Sequence, residues 1–270
     1  MSDPLQPRDP EEPATAVRKP DEPAPRMPVE PVPTRPAPTP AGPGDLATIT
    51  LEDVQGNEEL SLYIASADRV MDAMGYTEHG FRHANLVANI AFQVLSRLGF
   101  TEREATLASV AGYLHDVGNA LARDAHGQTG AVLVNQSLRD SVHGADLMPV
   151  LAAIANHEET EGVAVSPISA AVILADKSDV HRSRVRKSGR IEFDVHDRVN
   201  YAVERSFLSV DSDARTVSLE LTIDTEISQV MEYFEIFLGR MQLCRPRPRP
   251  AGVGARGRRP SCRSWPDTRP

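Results

Sequence analysis

The sequence has little cysteine and no long apolar run. Its two cysteines, Cys244 and Cys262, both lie near the C-terminal end, too few and too late for a disulfide framework or a Cys-rich zinc site. No run of about 18 apolar residues is present to cross a bilayer. The residues after Met1 also lack the basic and apolar regions of a signal peptide. We therefore expect a cytoplasmic protein with no membrane partner.

Proline is nearly absent from the middle of the chain. Of 22 prolines among the 270 residues, 14 fall in residues 1 to 44 and six in residues 245 to 270. The N-terminal part is rich in proline and glutamate and has almost no large apolar residues, so it cannot bury enough surface to offset its ordering entropy. We predict a disordered arm over 1–48, a folded middle, and a disordered Arg/Pro-rich tail over 245–270.

The tail has the opposite charge to the chain as a whole. It carries eight arginines and one acid, Asp267, whereas the formal net charge of the protein is -9. Two interpretations stay open: a basic arm that binds nucleic acid electrostatically, and a shifted reading frame in a GC-rich coding sequence. Because the rest of the chain is strongly acidic, we expect no specific nucleic-acid partner.

The middle of the chain has mainly helical periodicity. Apolar residues from Leu86 to Leu98 recur at helical spacing and close at Gly99, and Thr101 with Glu104 forms a capping box that starts the next helix. Further helices are predicted over 130–138, 147–156 and from Ile168 to about Lys187.

From Gly189 the period changes to that of strands. Ile191, Phe193 and Val195 alternate, a second alternating run covers 217–223, and the segment 211–213 reads as a turn. A helix-like stretch over 197–205 interrupts the strands, and an amphipathic helix follows over 227–241. The predicted fold class is mainly α, a helical bundle followed by a small α+β extension over 189–244 with short antiparallel strands and a C-terminal helix.

Histidines are concentrated in the helical part. Seven of the eight lie between Tyr76 and Val185, several beside carboxylates. Imidazole nitrogen and carboxylate oxygen together suit Fe, Mn, Zn, Ni or Co, and the absence of nearby cysteine excludes a thiolate site. The pattern predicts a site for a divalent metal.

Three motifs appear in a fixed order. They are His83 in Phe-Arg-His-Ala, the pair His115-Asp116 in Leu-His-Asp-Val-Gly, and Asp176 in Ala-Asp-Lys. Together they resemble the signature of the HD-domain metal-dependent phosphohydrolases, an all-helical family. The resemblance implies an HD domain over 49–188 and makes His83, His115, Asp116 and Asp176 ligands of a first ion.

Two more histidines occupy the positions of second-metal ligands in dinuclear members of that family. His126 and His157 would bind a second ion, with Asp116 bridging both because a carboxylate has two oxygens. The alternative is that these two histidines contact the metal-binding side chains or the phosphate of the substrate. The resemblance implies that Asp116 and His115 take part in catalysis, in which a metal-activated water bridging two ions hydrolyses a phosphoester or phosphoanhydride.

The motifs are most similar to those of dinuclear bacterial HD hydrolases, which act on dinucleoside tetraphosphates. The resemblance therefore implies a small phosphorylated substrate of the nucleotide class. The chain departs from that pattern at Asn119, which replaces a common lysine, and in its C-terminal extension.

Basic residues follow the last ligand motif. If the helix continues to about Lys187, Arg182 and Arg186 share a face with Ser178. With Lys177 and with Arg82, which precedes His83, they are candidate contacts to substrate phosphate. The alternative is a solvated basic helix end. Asp179 is a candidate to orient an arginine or to act as an outer ligand.

A different class of function also remains open. The same fold with its pocket can sense a nucleotide with little turnover and pass the signal through the extension. The apolar stripe of 217–223 is a candidate core or dimer interface, so a homodimer is possible.

Overall fold

The computed structural model describes residues 48–158, 162–186 and 195–243, and the side chains of the last range as far as Leu238. The predicted arm before residue 48, the predicted tail and the alternation at Ile191 and Phe193 lie outside the described residues. The domain boundaries placed at 48, 188 and 244 stay predictions.

Helices form most of the described chain. The first seven are α1 Leu51–Gln55, α2 Glu58–Ala73, α3 Phe81–Arg97, α4 Glu102–Leu114, α5 His126–Leu138, α6 Gly144–Ala155 and α7 Pro167–Ser178. Short 3-10 helices cover Val117–Ala120 and Arg182–Arg184. Among the described residues, no helix is both long enough and apolar enough to span a bilayer.

The central helix of the bundle is α4. Every residue from Leu107 to Leu114 is buried, which explains why its sequence shows apolar residues all round rather than on one stripe. Helix α3 packs against α4 closely enough that a Cβ at Gly112 would lie 3.1 Å from the carbonyl oxygen of Val87. The glycine therefore allows this close approach, and the start of α3 lies near the end of α4.

The predicted start of α4 is confirmed. Thr101 accepts a hydrogen bond from the backbone N–H of Glu104, and the Glu104 carboxylate accepts one from the backbone N–H of Thr101. This reciprocal cap satisfies two donors that a helix start leaves free. The spacing of a Thr and a Glu three residues apart was sufficient to locate it.

The C-terminal part is the predicted small α+β element. It contains α8 Val195–Ala202, strands β1 Val203–Asp211 and β2 Thr216–Ile223, and α9 Val230–Leu243. The strands are antiparallel, with Leu208 opposite Leu219, and are joined by the turn predicted after residue 211. Leu208, Val210 and Val217 pack against the helical core. The apolar stripe thus contributes in part to the core of the same chain.

Three predictions about local structure are wrong. Val195 begins α8 instead of ending a strand, and the helix-like stretch predicted over 197–205 ends at Ala202, after which β1 begins at Val203. Helix α7 stops at Ser178 instead of continuing to about Lys187. The chain turns there because the next residue, Asp179, contacts His83 and Arg82 and its carbonyl accepts a hydrogen bond from Arg184. These tertiary contacts outweigh the local helix propensity.

Candidate metal centre

Five helix ends bring the predicted ligands together. His83 is in the first turn of α3, His115 and Asp116 follow the last residue of α4, and Asp176 is in the last turn of α7. The other two are His126, the first residue of α5, and His157, two residues after α6. All four imidazoles are at most 1% exposed. Polar side chains so deeply buried require partners for their nitrogen atoms.

The first set of donors surrounds a small space. The Nε2 atom of His83 lies 3.2 Å from Nε2 of His115 and 3.5 Å from both Oδ2 of Asp116 and Oδ1 of Asp176. His115 Nε2 lies 3.1 Å from the same Asp116 oxygen. Donors that share one ion at about 2.1 Å stand roughly 3 to 3.5 Å apart. These distances match that spacing, and the distance from His115 Nε2 to Oδ1 of Asp176 is slightly longer, at 3.7 Å.

The second set contains the other oxygen of Asp116. Nε2 of His126 lies 3.3 Å from Asp116 Oδ1 and 3.0 Å from Nε2 of His157, which is 3.7 Å from the same oxygen. The Oδ2 atom faces one histidine pair and Oδ1 faces the other. Asp116 therefore stands between two donor sets.

The outer nitrogen of each histidine is already occupied. The Nδ1–H groups of His115, His126 and His157 donate to the backbone carbonyls of Gly112, Arg123 and Ile154, at 2.8, 3.0 and 2.7 Å. A carbonyl only accepts, so these contacts assign the proton to Nδ1 and leave the Nε2 lone pair directed inward. This arrangement is typical of histidines that bind metals.

A divalent cation fits this cluster. Two Nε2 atoms 3.0 or 3.2 Å apart, each with a lone pair, repel one another unless a proton or a metal ion lies between them. Two buried carboxylates, Asp116 and Asp176, add negative charge to the same space. The donor set of imidazole and carboxylate suits borderline transition metals.

The acid–base properties of the cluster reflect the same demand for positive charge. Burial opposes charge on His115, but Asp116 and Asp176 outweigh it and raise the pKa of His115 to about 10. Burial likewise opposes charge on His126, yet Asp116 and Glu158 raise its pKa to about 9. Burial would raise the pKa of Asp116, but the histidines lower it well below its usual value. The carboxylates are thus ready to bind a cation.

A third carboxylate orients the first histidine. Asp179, 3% exposed, accepts a hydrogen bond of 2.7 Å from His83 Nδ1 and one of 3.0 Å from Arg82. Burial would raise the pKa of Asp179, but His83 and Arg184 lower it far below the usual range. The prediction that this residue orients an arginine or acts beyond the ligands agrees with this placement.

Three residues at the second donor set escaped sequence reasoning. Asn119 donates 2.9 Å to Oδ1 of Asp116, Glu158 lies 3.3 Å from Nδ1 of His126, and Arg123 Nη1 lies 3.4 Å from Nε2 of His126. The spacing of Asn119, Arg123 and His126, four and three residues apart, was the signal that could have placed them near one another. No motif of the family resemblance includes this spacing.

The four candidate phosphate contacts lie in different places. Lys177 contacts Asp176 at 2.5 Å, beside the first donor set, and Arg82 lies behind His83. Arg182 pairs with Glu204 at 3.0 Å, and Arg186 pairs with Asp68 at 2.6 Å. Because α7 ends at Ser178, the helical face on which the last two were placed does not exist, and the geometric reason for assigning them to substrate is lost.

The remaining histidines stand outside the two donor sets. His79 lies edge-on to His83 with ring centroids 5.6 Å apart, and its Nδ1 contacts the carbonyl of Thr77. His181 contacts Ser183 and the backbone of Glu204. Their exclusion from the predicted ligand set is consistent with these positions.

Comparison with known proteins agrees with this architecture. Residues 80–182 match the family model of the HD domain, and this match supports membership of the HD-domain superfamily, whose members are in general metal-dependent hydrolases. The chain is also similar to the uncharacterized protein MJ1020 of Methanocaldococcus jannaschii, with 28% identity over 185 residues, covering 59% of this chain and 70% of that protein. No solved structure gave a match.

Proposed function

We propose that this protein hydrolyses a phosphoester or phosphoanhydride bond, with a nucleotide as substrate, at a centre of two divalent ions. The observation that carries the proposal is the position of Asp116, whose two oxygens face separate histidine pairs 3.1 to 3.7 Å away. The nucleotide class rests on the resemblance of the motifs to nucleotide-cleaving HD hydrolases. The metal is one of Fe, Mn, Zn, Ni or Co.

The residues of the chain have distinct roles in this proposal. His83, His115 and Asp176 would hold one ion, His126 and His157 would hold the other, and Asp116 would be a ligand shared by both. Ions held in this way would lower the pKa of a water and neutralise charge on phosphoryl oxygens.

The surrounding groups orient these ligands. Asn119 directs Oδ1 of Asp116, and Asp179 directs the ring of His83. Lys177 adds a positive charge beside Asp176, where it can stabilise an anionic substrate.

Metal content tests the proposal most directly. The protein is purified without chelator and without affinity histidines, and its metals are measured by inductively coupled plasma mass spectrometry. We expect two equivalents in the parent and none in Asp116→Ala. His143→Ala is the matched control, because His143 lies outside both donor sets and should leave both equivalents in place.

Single-set variants separate the two ions. We expect His83→Gln to lose one equivalent and His126→Gln to lose the other, since each removes a ligand from one set only. If the parent binds a single equivalent that survives His126→Gln, the dinuclear proposal fails. No metal after reconstitution with each of the five candidates would reject the hydrolase.

Turnover distinguishes the hydrolase from a sensor. The metal-loaded parent is incubated with nucleoside mono-, di- and triphosphates and dinucleoside polyphosphates, and released phosphate is measured. We expect hydrolysis of at least one class and none by Asp116→Ala. Tight nucleotide binding without turnover would contradict the proposal and favour the sensing function.

A further inference from the structure

Arg123 differs from the other arginines around the centre. Arg82, Arg182 and Arg186 each form an ion pair with a carboxylate at 3.1 Å or less. Among the described residues, the polar contacts of the Arg123 guanidinium are longer: 3.3 Å to Oδ1 of Asn119, 3.4 Å to Nε2 of His126 and 3.9 Å to Glu158. A guanidinium has five N–H donors, so this one has capacity to bind a further oxyanion.

The position of Arg123 places it beside the second donor set. Its Nη1 atom lies within hydrogen-bond distance of the inward nitrogen of His126. The side chain is 24% exposed, so solvent and ligands reach it, whereas the His126 ring is 2% exposed. An anion bound at this donor set therefore comes within reach of Arg123.

Two neighbours keep Arg123 in this position. Its guanidinium carbon lies 5.5 Å from the centroid of the Tyr76 ring, in a cation–π contact. Asn119 Oδ1 accepts a hydrogen bond from Nη1 of Arg123, while the amide nitrogen of Asn119 donates to Asp116. Asn119 thus links Arg123 to the Asp116 carboxylate.

We propose that Arg123 binds the phosphoryl oxygens of the substrate, positioned by Tyr76 and Asn119. A guanidinium forms paired hydrogen bonds with phosphate oxygens and keeps its charge at all physiological pH values. The inference deepens the proposed function, on which it rests. It assigns to Arg123 the role that sequence reasoning gave to Arg182 and Arg186.

The test measures anion binding separately from turnover. Inorganic phosphate is titrated by calorimetry into the Mn²⁺-loaded parent, Arg123→Gln and Arg123→Lys, and metal content is determined for each. We expect full metal content in all three and phosphate affinity about tenfold to a hundredfold weaker in Arg123→Gln. Arg123→Lys should lie between the two, since it keeps the charge but not the paired geometry.

Arg139→Gln is the matched control. Arg139 follows α5, is 61% exposed and forms an ion pair with the exposed Asp140, so its variant should bind phosphate like the parent. In kinetic assays with a hydrolysed substrate, we expect Arg123→Gln to raise KM at least as much as it raises the Kd for phosphate.

Each outcome bears on one statement. Unchanged phosphate affinity and KM in Arg123→Gln, or loss of metal in both Arg123 variants, would overturn the inference while leaving the hydrolase intact. A parent that binds phosphate through Arg123 but hydrolyses nothing would reject the proposed activity and retain the phosphoryl site. A parent that binds no phosphate would overturn the inference.

Discussion

At the scale of single residues, hydrogen bonds to the outer nitrogens decide what the histidines can do. Three backbone carbonyls and one carboxylate hold the Nδ1 protons. The four inward Nε2 atoms are thereby available as ligands. Burying their lone pairs costs free energy, and a proton or a metal ion bound there offsets this cost. This competition makes the acid–base state of the cluster testable.

We predict that metal binding releases protons at pH 7. The pKa of His115 is about 10 and that of His126 about 9 before metal binds, so both rings are protonated at pH 7 and must lose their protons to become ligands. Affinity should increase with pH until these pKa values are passed, by about tenfold per pH unit for each proton displaced.

Calorimetry in two buffers of different ionisation enthalpy measures the number of protons released. His143→Ala should release the same number as the parent. Equal enthalpies in the two buffers, with no pH dependence of affinity between pH 6 and 8, would contradict the prediction.

The carboxylate behind His83 offers a second prediction. Asp179→Asn retains the shape of the side chain but removes the charge that orients Nδ1–H of His83 and pairs with Arg82. We expect affinity for one ion to fall by about tenfold to a hundredfold, as is usual for partners of metal-bound histidines. Asp140→Asn, at an exposed position, is the control, and a metal titration is the measurement. Equal affinities in the two variants would reject an orienting role.

At the scale of elements, close packing positions the helix ends that carry the ligands. A Cβ on Gly118, in the 3-10 helix after His115-Asp116, would collide with the backbone carbonyl of His126 and would lie 2.6 Å from the nitrogen of Gly130. The first turn of α5 therefore contacts the 3-10 backbone directly. This contact sets the distance between Asp116 and His126.

We predict that Gly118→Ala separates these two elements. The added methyl group meets backbone atoms, which cannot move aside like a flexible side chain, so we expect a loss of about 1–3 kcal/mol or more in the free energy of unfolding. Metal content should fall toward one equivalent, because His126 is displaced.

Gly144→Ala is the matched control, since a Cβ at that position in α6 would meet no atom within 4 Å beyond its chain neighbours and its own helix backbone. Its free energy of unfolding should stay within about 0.5 kcal/mol of the parent value. Its metal content should stay within about one tenth of the parent value. Chemical denaturation with metal analysis checks both variants. A stable Gly118→Ala variant with two equivalents of metal would show that the elements adjust.

At the scale of the whole molecule, the centre connects five helices that the chain contributes from residues 83 to 176. A metal ion that binds only the folded state stabilises it by about 2.7 kcal/mol when its concentration is a hundred times its Kd. Because the ligands come from helices that are far apart in the sequence, the binding free energy should stabilise the bundle as a unit.

We predict that addition of metal raises the melting temperature by about 5–10 °C for each bound ion. Differential scanning calorimetry of chelator-treated and reloaded protein measures the change. Asp116→Ala should show little increase, whereas His143→Ala should behave like the parent. An identical melting temperature with and without metal would mean that the ions do not bind the native state preferentially.

Much of the fold followed from sequence because its signals are local. The capping box at Thr101, the end of α3 before Gly99 and the turn after Asp211 each depend on residues a few positions apart. The order of the histidine and aspartate motifs likewise indicated which side chains belong to a centre, and the structure brings all six together in overlapping groups of possible ligands whose atoms lie within 4.8 Å of one another.

Only the tertiary structure decided which cations lie at the centre and where α7 ends. Arg186 contacts Asp68, 118 residues earlier, and Arg82 contacts Asp179, 97 residues later. Helical periodicity contains no information about such distant partners. The prediction from periodicity therefore continued α7 to about Lys187, whereas long-range ion pairs direct the chain away from the helix after Ser178. The amino-acid sequence by itself determined the ligand types and their order along the chain. The packing of the helices decided that Asp116 stands between two histidine pairs and that Arg123 adjoins one of them, because distances between helices depend on contacts across the whole core.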